Sequence, residues 1–179
     1  MDMALGTVVE VDRGSLPFAL IHGEALVAAA VWALSEAEVF PVDLPITWDA
    51  IAESGEAYVL HDALCPMTPP AFIAECVETA LARDAVVVAV RPVTDTVKRL
   101  EGEVVIETVD RDGLIEVVSP IVLPATVVAL LDRAPTTDFA ALAADLATRF
   151  PIVTVLAPPS AARVATLEDV RVLEALTTP

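Results

Sequence analysis

The sequence predicts a mostly parallel α/β fold, in which helices pack on a central sheet and one antiparallel segment protrudes from it. Short runs of β-branched residues alternate with longer segments rich in alanine and leucine along most of the 179 residues. Because parallel strands are usually joined by helical crossovers, this alternation is typical of such a sheet. Residues 85–90 form a continuous apolar run, as expected of a strand buried on both faces. Residues 93–118 instead show a polar strand-turn-strand pattern around Glu101 and Gly102, which predicts the protruding segment.

The first half of the chain carries strand and helix patterns of this kind. In order, we predict a strand at 6–11, a helix at 23–37, a brief strand at 39–43, a short helix at 46–53 and a strand at 57–61. The next helix has the clearest pattern, since apolar residues recur at helical spacing between Phe72 and Leu81. Thr68 is expected to cap this helix, and Pro69 and Pro70 suit its first turn.

The second half of the chain resumes the alternation after the protruding segment. We predict helices near 125–133 and 138–150, a strand at 152–156 and a final helix. Thr166 and Asp169 predict the start of that last helix, because they have the spacing of a capping box. No internal repeat, low-complexity tract or linker interrupts the sequence. We therefore predict a single domain over residues 1–179, with an arm at about 93–118.

Charge and hydropathy argue against several classes of function. The chain has 27 acidic residues against 10 lysines and arginines, a formal charge of −17. Such a surface repels polyanions, so neither nucleic acid nor an anionic membrane is expected as a partner. The longest apolar run, residues 25–34, falls well short of the ~18 residues that suggest a membrane span. The acidic start lacks the features of a signal peptide, so we expect a cytoplasmic protein.

The arm carries the clearest candidate for an anion-binding site. Arginine and lysine, together with hydroxyl donors, are the side chains that hold phosphate, and cations are scarce elsewhere in this chain. The candidate binding residues of the arm are Thr94, Asp95, Thr96, Lys98, Arg99 and Arg111. The alternative is that these charges only protect an edge strand from aggregation.

Asp62 is a second candidate, because it follows directly after a buried strand. Ligands of open α/β sheets gather beyond the carboxyl ends of the strands, where an aspartate can hold Mg²⁺ or a sugar hydroxyl. The alternative is that Asp62 only satisfies the backbone of a turn. Cys65 and Cys76 show no pairing or zinc-binding spacing and are interpreted as structural thiols.

Four segments together carry a resemblance to a known family. They are residues 61–66, the two sides of the arm at 92–99 and 108–111, the pair Thr137-Asp138, and residues 162–169. These segments resemble the 2-C-methyl-D-erythritol 4-phosphate cytidylyltransferase family, over about residues 16–176. The arm is the most specific of the four.

The resemblance implies a Rossmann-like, three-layer nucleotidyltransferase fold and a role in isoprenoid precursor synthesis. Members transfer CMP from CTP to methylerythritol phosphate with Mg²⁺, and each arm reaches into the neighbouring subunit of a homodimer. By position, the residues that would hold the phosphate of this small alcohol are Thr96, Arg111, Thr137 and Arg163. Asp62 would lie on the metal and nucleotide side, and Arg163 replaces a lysine of the family.

The sequence also departs from the family where the nucleotide would bind. Residues 8–18 replace a glycine-rich, arginine-containing loop and a Pro-Lys pair. Glu10 and Asp12 add negative charge there, Phe18 stands in place of the lysine, and Cys65 in place of an arginine. Since phosphoryl transfer depends on positioning and charge neutralisation, these losses predict weak or absent catalysis.

Three hypotheses follow from the sequence. In the first, phosphate binding and dimerisation are retained while CTP-dependent catalysis is weak or lost. In the second, the chain is an active nucleotidyltransferase with a rebuilt nucleotide loop and Mg²⁺. In the third, it is a non-catalytic partner that forms a heterodimer with a full-length relative.

Overall fold

The structure, a computed structural model, describes residues 4–43, 46–93, 97–101, 104–109 and 114–177. Its strands are β1 (Ala4–Val9), β2 (Leu20–Ile21), β3 (Glu24–Ala25), β4 (Val39–Pro41), β5 (Ala57–Asp62), β6 (Val86–Pro92), β7 (Val97–Glu101), β8 (Val104–Val109), β9 (Ile115–Leu123) and β10 (Ile152–Leu156). Its α-helices are α1 (Leu26–Glu36), α2 (Trp48–Glu53), α3 (Pro70–Arg83), α4 (Ala125–Val128), α5 (Phe139–Ala147) and α6 (Leu167–Leu176). Among these helices, none combines the length and apolar character needed to cross a bilayer.

Six strands form one mixed sheet in the order β10-β6-β9-β5-β1-β4. All neighbours are parallel except β9, which runs antiparallel between β5 and β6. The register of β1 on β5 sets Val9 opposite Asp62. As a result, the loop that leaves β1 begins beside the carboxyl end of β5, and this positions the site described below.

Helices cover both faces of the sheet, so the predicted three-layer α/β architecture is confirmed. Alternate residues of β5 point to opposite faces, as a strand requires. Ala57 and Val59 pack with residues of α1 and α3, whereas Tyr58 and Leu60 pack with residues of α2, α4 and α5. All six residues of β5 are buried, because β5 lies between β1 and β9 and beneath both helical layers.

The last helix confirms the predicted capping box. The Oγ1 atom of Thr166 accepts from the Asp169 N–H at 3.1 Å, and the Asp169 Oδ2 atom accepts from the Thr166 N–H at 2.9 Å. These bonds satisfy amides that have no partner inside the helix. Val170 and Leu173 then pack the helix against Leu26 near the start of α1.

The main error of the sequence prediction concerns β9. The predicted arm at 93–118 included its first residues, and the rest was assigned to no element, yet β9 is an interior strand of the sheet. Its polar start is exposed or half-buried, whereas its last six residues are buried. The antiparallel pair predicted for the arm is confirmed as β7 and β8, which form a sheet of their own.

Smaller corrections concern the ends of helices. Thr68 does not cap α3: its hydroxyl donates to the Cys65 carbonyl at 2.9 Å, and Pro69 is the N-cap without a side-chain bond. The helix predicted at 23–37 begins only at Leu26, because β2 and β3 form a short hairpin before it. The helix predicted near 125–133 ends at Val128.

Candidate functional site

The carboxylate of Asp62 is the centre of the site, at the carboxyl end of β5. Its side chain is 1% exposed. Oδ1 accepts from Arg13 Nε at 3.1 Å and from the Leu64 N–H at 2.9 Å. Oδ2 accepts from Arg163 Nε at 2.9 Å and from Arg13 Nη2 at 3.4 Å. Asp62 therefore satisfies the backbone of the turn, as one interpretation proposed, and also holds two guanidinium groups.

Arg13 reaches Asp62 because the loop after β1 folds back on itself. Asp12 and Gly14 on either side have φ angles of 60° and 61°, in the left-handed region that reverses the chain. The Arg13 side chain is 6% exposed, and its Nη2 donates to the Thr137 carbonyl at 2.6 Å. Its guanidinium carbon lies 5.9 Å from the centre of the Phe139 ring. Asp12 accepts from the Thr137 hydroxyl at 2.8 Å, so the loop is held to the start of α5 by two contacts.

Arg163 approaches Asp62 from the segment before α6. The next residue, Val164, donates its N–H to the Leu64 carbonyl at 2.8 Å and so ties this segment to the turn after β5. Partial burial of Arg163 acts to lower its pKa. The hydrogen bond to Asp62 and the negative charge of Asp62 outweigh this effect, so the pKa of Arg163 is raised. The side chain stays 33% exposed, and its two terminal nitrogens make no hydrogen bond to a described residue.

A cleft of about 890 Å³ lies over these residues. Among its described lining residues are two cations and four carboxylates: Arg13, Arg163, Asp12, Asp62, Glu116 and Asp138. Val93 and Ile115 also line it. Both lie at the base of the arm, where the Val93 N–H donates to the Leu114 carbonyl at 3.2 Å, so the base of the arm lies at the rim of the cleft.

A second cavity of about 680 Å³, which we call the cavity beyond β1, is lined by residues of β1, by the first residues after it and by residues of β4 and β5. Trp48 and Tyr58 are among its walls, with their ring centres 5.4 Å apart in an edge-to-face arrangement. Its charged lining residues are Glu10 and Asp43, and none of the described residues that line it is a lysine or an arginine. Phe18, which the resemblance sets in place of a lysine, is not among the residues that line this cavity and is 63% exposed.

His61, Cys65 and Cys76 are buried titratable side chains in or near the site. His61 is fully buried. Burial lowers its pKa to about 4, although the negative charge of Asp62 acts in the opposite direction. Its Nδ1 is hydrogen-bonded to the Ser119 hydroxyl oxygen, which also accepts the Asp62 N–H at 2.9 Å. Burial raises the pKa of the Cys65 thiol well above its usual range, and that of Cys76 to about 12. Both thiols are free and buried, consistent with the structural role predicted for them.

The structure brings together three of the predicted site residues: Asp62, Thr137 and Arg163 line one cleft. Thr94, Asp95, Thr96 and Arg111 lie outside the described residues. Lys98 and Arg99 belong to β7, and their side chains lie outside the described part of the chain. The phosphate-binding and arm roles of all these residues therefore stay predictions.

The role of Arg13 and the presence of Glu116 in the cleft were not predicted from the sequence. By its position, Arg13 is only one residue of the segment 8–18, for which the resemblance implies a nucleotide loop. The feature of the sequence that could have identified Arg13 is its isolated positive charge, because it is the one lysine or arginine between positions 1 and 82. Such an isolated cation in an acidic segment is a candidate for pairing with a buried carboxylate.

The contacts of Asp62 also bear on the magnesium that the sequence led us to expect. Mg²⁺ requires near-octahedral oxygen ligands at about 2.0–2.1 Å. Each oxygen of Asp62 already accepts from a guanidinium, and the described residues contain no group of three or more histidine, cysteine, aspartate or glutamate side chains placed to hold a metal. This arrangement does not fit Mg²⁺, and the metal-binding role of Asp62 stays a prediction.

Comparison with known proteins identifies one family. The model of the family described as 2-C-methyl-D-erythritol 4-phosphate cytidylyltransferase matches residues 45–175. A protein of that name from Corynebacterium diphtheriae is 31% identical over 105 residues, which are 59% of this chain and 38% of that protein. Another from Nocardia farcinica is 35% identical over 130 residues, which are 71% of this chain and 56% of that protein. The matched part thus spans less than two thirds of these relatives.

Solved structures extend the likeness of the fold to the whole chain. The crystal structure of 2-C-methyl-D-erythritol 4-phosphate cytidylyltransferase from Thermus thermophilus superposes with a TM-score of 0.71, covers 100% of both chains and is 20% identical. The bifunctional IspDF from Campylobacter jejuni gives a TM-score of 0.63, covering 96% of this chain and 54% of that one at 14% identity. At these identities, the superpositions show a shared fold.

Proposed function

Because the chain belongs to the 2-C-methyl-D-erythritol 4-phosphate cytidylyltransferase family, we propose that it binds a small alcohol phosphate in the cleft over Asp62, while CTP-dependent transfer is weak or lost. The observation that carries this proposal is a contrast between two cavities. The cleft contains Arg163, whose terminal nitrogens bind no described residue, whereas the described lining of the cavity beyond β1 has acidic groups and no cation.

Arg163 is suited to the phosphate of such a ligand. Asp62 holds its Nε, and this leaves the two terminal nitrogens of the guanidinium for a second anion. Charge-assisted hydrogen bonds from a guanidinium to phosphate are among the stronger polar contacts in proteins. The Thr137 hydroxyl is the other predicted phosphate donor of the cleft, and it would have to exchange its bond to Asp12 for one to the ligand.

The charge of the cleft explains why the arm would be needed. With two cations against four carboxylates, the described lining repels an anion unless more positive charge is added. Residues 93–118 carry seven acidic side chains against three cations, so the arm can add positive charge only where Lys98, Arg99 or Arg111 itself meets the ligand, with Thr94 and Thr96 as hydroxyl donors. We propose that the arm of a second copy supplies them in a homodimer.

The lining of the cavity beyond β1 supports the proposal of weak or lost catalysis, because the resemblance implies that the nucleotide binds at the loop after β1, which lines this cavity. A triphosphate brings several negative charges, and phosphoryl transfer needs cations to neutralise them as the reaction proceeds. Glu10 and Asp43 would instead repel it. Arg13, the nearby cation, is turned away onto Asp62 and the Thr137 carbonyl. Removal of one electrostatic donor commonly costs about 10²-fold or more in rate.

Two measurements on the whole chain test the proposal. Titration calorimetry with 2-C-methyl-D-erythritol 4-phosphate should show one site per chain, and no binding at millimolar ligand would reject the binding part. Pyrophosphate release from CTP and the same alcohol, with Mg²⁺, should not exceed a control without protein. Turnover at the rate of an active enzyme would favour the second hypothesis, in which the nucleotide loop has been rebuilt.

The oligomeric state decides between the proposed homodimer and a heterodimer. Native mass spectrometry of the protein alone should show a dimer. Deletion of residues 94–112 should convert it to a monomer, with the remaining fold checked by circular dichroism. A monomer that dimerises only when a full-length relative is added would favour the third hypothesis.

A further inference from the structure

The buried carboxylate of Asp62 has no free capacity for a metal ion. Arg13 occupies Oδ1 through Nε and approaches Oδ2 through Nη2, while Leu64 and Arg163 supply the other donors. These two guanidiniums approach one carboxylate from different segments of the chain. The group of three charges has a net charge of +1 before any ligand or metal arrives.

We propose that Arg13 takes the place that a divalent cation would have beside Asp62, so that the cleft binds its anionic ligand without metal. Arg13 neutralises Asp62 and thereby leaves Arg163 free to present its outer nitrogens. The part of this inference that concerns the ligand rests on the proposed function. The part that concerns metal exclusion stands on the contacts of Arg13 alone.

The position of Arg13 is determined by more than its bond to Asp62. Nη1 donates to the Val11 carbonyl at 3.2 Å and Nη2 to the Thr137 carbonyl at 2.6 Å. Phe139 lies against the guanidinium, and the side chain is almost fully buried. A metal that displaced it would leave a buried cation without its carboxylate, which is strongly unfavourable.

Electrostatics oppose a metal at the same point. A divalent ion bound to Asp62 would lie between two guanidiniums, and like charges at such short range repel strongly in a site with little water. Asp12, Glu116 and Asp138 also line the cleft and could attract cations weakly. A test must therefore separate a site at Asp62 from diffuse binding by the acidic surface.

Mn²⁺ alone is a suitable probe, because electron paramagnetic resonance distinguishes free from bound ion. Wild type and Asp62→Asn should give the same Mn²⁺ binding curve. Arg13→Met should gain one site per chain, at least about tenfold tighter than the diffuse binding, and Arg13→Met with Asp62→Asn should lose it. Arg171→Met is the matched control for loss of one positive charge, since that side chain is 74% exposed on α6. A stoichiometric site in wild type that Asp62→Asn abolishes would overturn the inference.

Ligand binding supplies a second measurement that needs no variant. The affinity for 2-C-methyl-D-erythritol 4-phosphate should be the same in EDTA and in millimolar Mg²⁺. Binding that occurs only with Mg²⁺ would support the proposed function and overturn the inference. If no binding occurs in either buffer, the proposed function fails, and the Mn²⁺ curves of wild type and Asp62→Asn still decide the inference.

Discussion

Arg13 Nε lies 3.1 Å from Oδ1 of Asp62, across 49 positions of sequence, and this pair joins the loop after β1 to the end of β5. The pairing depends on the sheet order, in which β1 and β5 are neighbours with Val9 opposite Asp62. The same pair withdraws the loop cation from the cavity beyond β1. It therefore connects the altered loop to the proposed weakening or loss of CTP-dependent transfer.

Removal of Arg13 should destabilise the fold. In Arg13→Met, Asp62 keeps Arg163 but loses its most buried partner, and the bonds from Arg13 to the Val11 and Thr137 carbonyls are lost. We expect the free energy of unfolding in urea to fall by about 3 kcal/mol. Arg171→Met breaks only the exposed pair with Glu168 and should change it by less than about 1 kcal/mol. Equal effects of the two substitutions would contradict the structural role of Arg13.

Removal of Arg163 should weaken ligand binding more than it weakens the fold. Arg163→Gln keeps a hydrogen-bond donor but loses the charge, and Asp62 retains Arg13. Because charged hydrogen bonds are worth roughly 1.5–3 kcal/mol, calorimetry should show the dissociation constant of the alcohol phosphate rising by about 10- to 100-fold. Arg171→Gln should leave it unchanged. An unaltered constant in Arg163→Gln would place the phosphate elsewhere.

His61 should make the protein less stable in mild acid. Its pKa is about 4 in the folded state and 6.5 when unperturbed, so between these values the unfolded chain binds more protons than the folded one. Stability from this residue is therefore present above pH 6.5 and is lost as the pH falls towards 4, by up to about 3 kcal/mol. Unfolding by urea at pH 7 and pH 4.5 measures the loss. His61→Gln should reduce the difference between the two pH values, and an unchanged difference would show that other groups cause it.

The capping box of α6 gives a stability prediction independent of the site. Thr166→Ala removes the acceptor of the Asp169 N–H and should cost about 1 kcal/mol in thermal or urea unfolding. Thr79→Ala is the contrasting control, because Thr79 is half-buried in the interior of α3, where its hydroxyl bonds the Glu75 carbonyl at 2.8 Å and alanine is the better helix former. It should be neutral or slightly stabilising. A loss of stability in Thr79→Ala equal to that in Thr166→Ala would contradict the capping role.

The two thiols should be unreactive in the folded protein. Burial raises the pKa of both, so neither forms the thiolate that attacks disulfide reagents near neutral pH. A thiol-specific disulfide reagent should modify neither Cys65 nor Cys76 in buffer and both in concentrated urea. Rapid reaction of Cys65 in buffer would show that the turn after β5 opens to solvent.

Local signals predicted much of the fold correctly. The capping box at Thr166 and the buried strand before Asp62 depend on neighbours in sequence, and both were recognised. The interior strand β9 was missed because its first residues are polar and continue the pattern of the arm. The cap at Thr68 was wrong because its hydroxyl bonds to the Cys65 carbonyl instead of the helix.

The sequence by itself determined the α/β class, the arm and the position of Asp62 at the end of a strand, because residue type, spacing and periodicity carry that information locally. Only the tertiary structure decided which partners Asp62 has. Arg13 and Arg163 reach it from positions 49 and 101 residues away. Such contacts follow from the strand order and from the paths of the loops, and no pattern of adjacent residues specifies either.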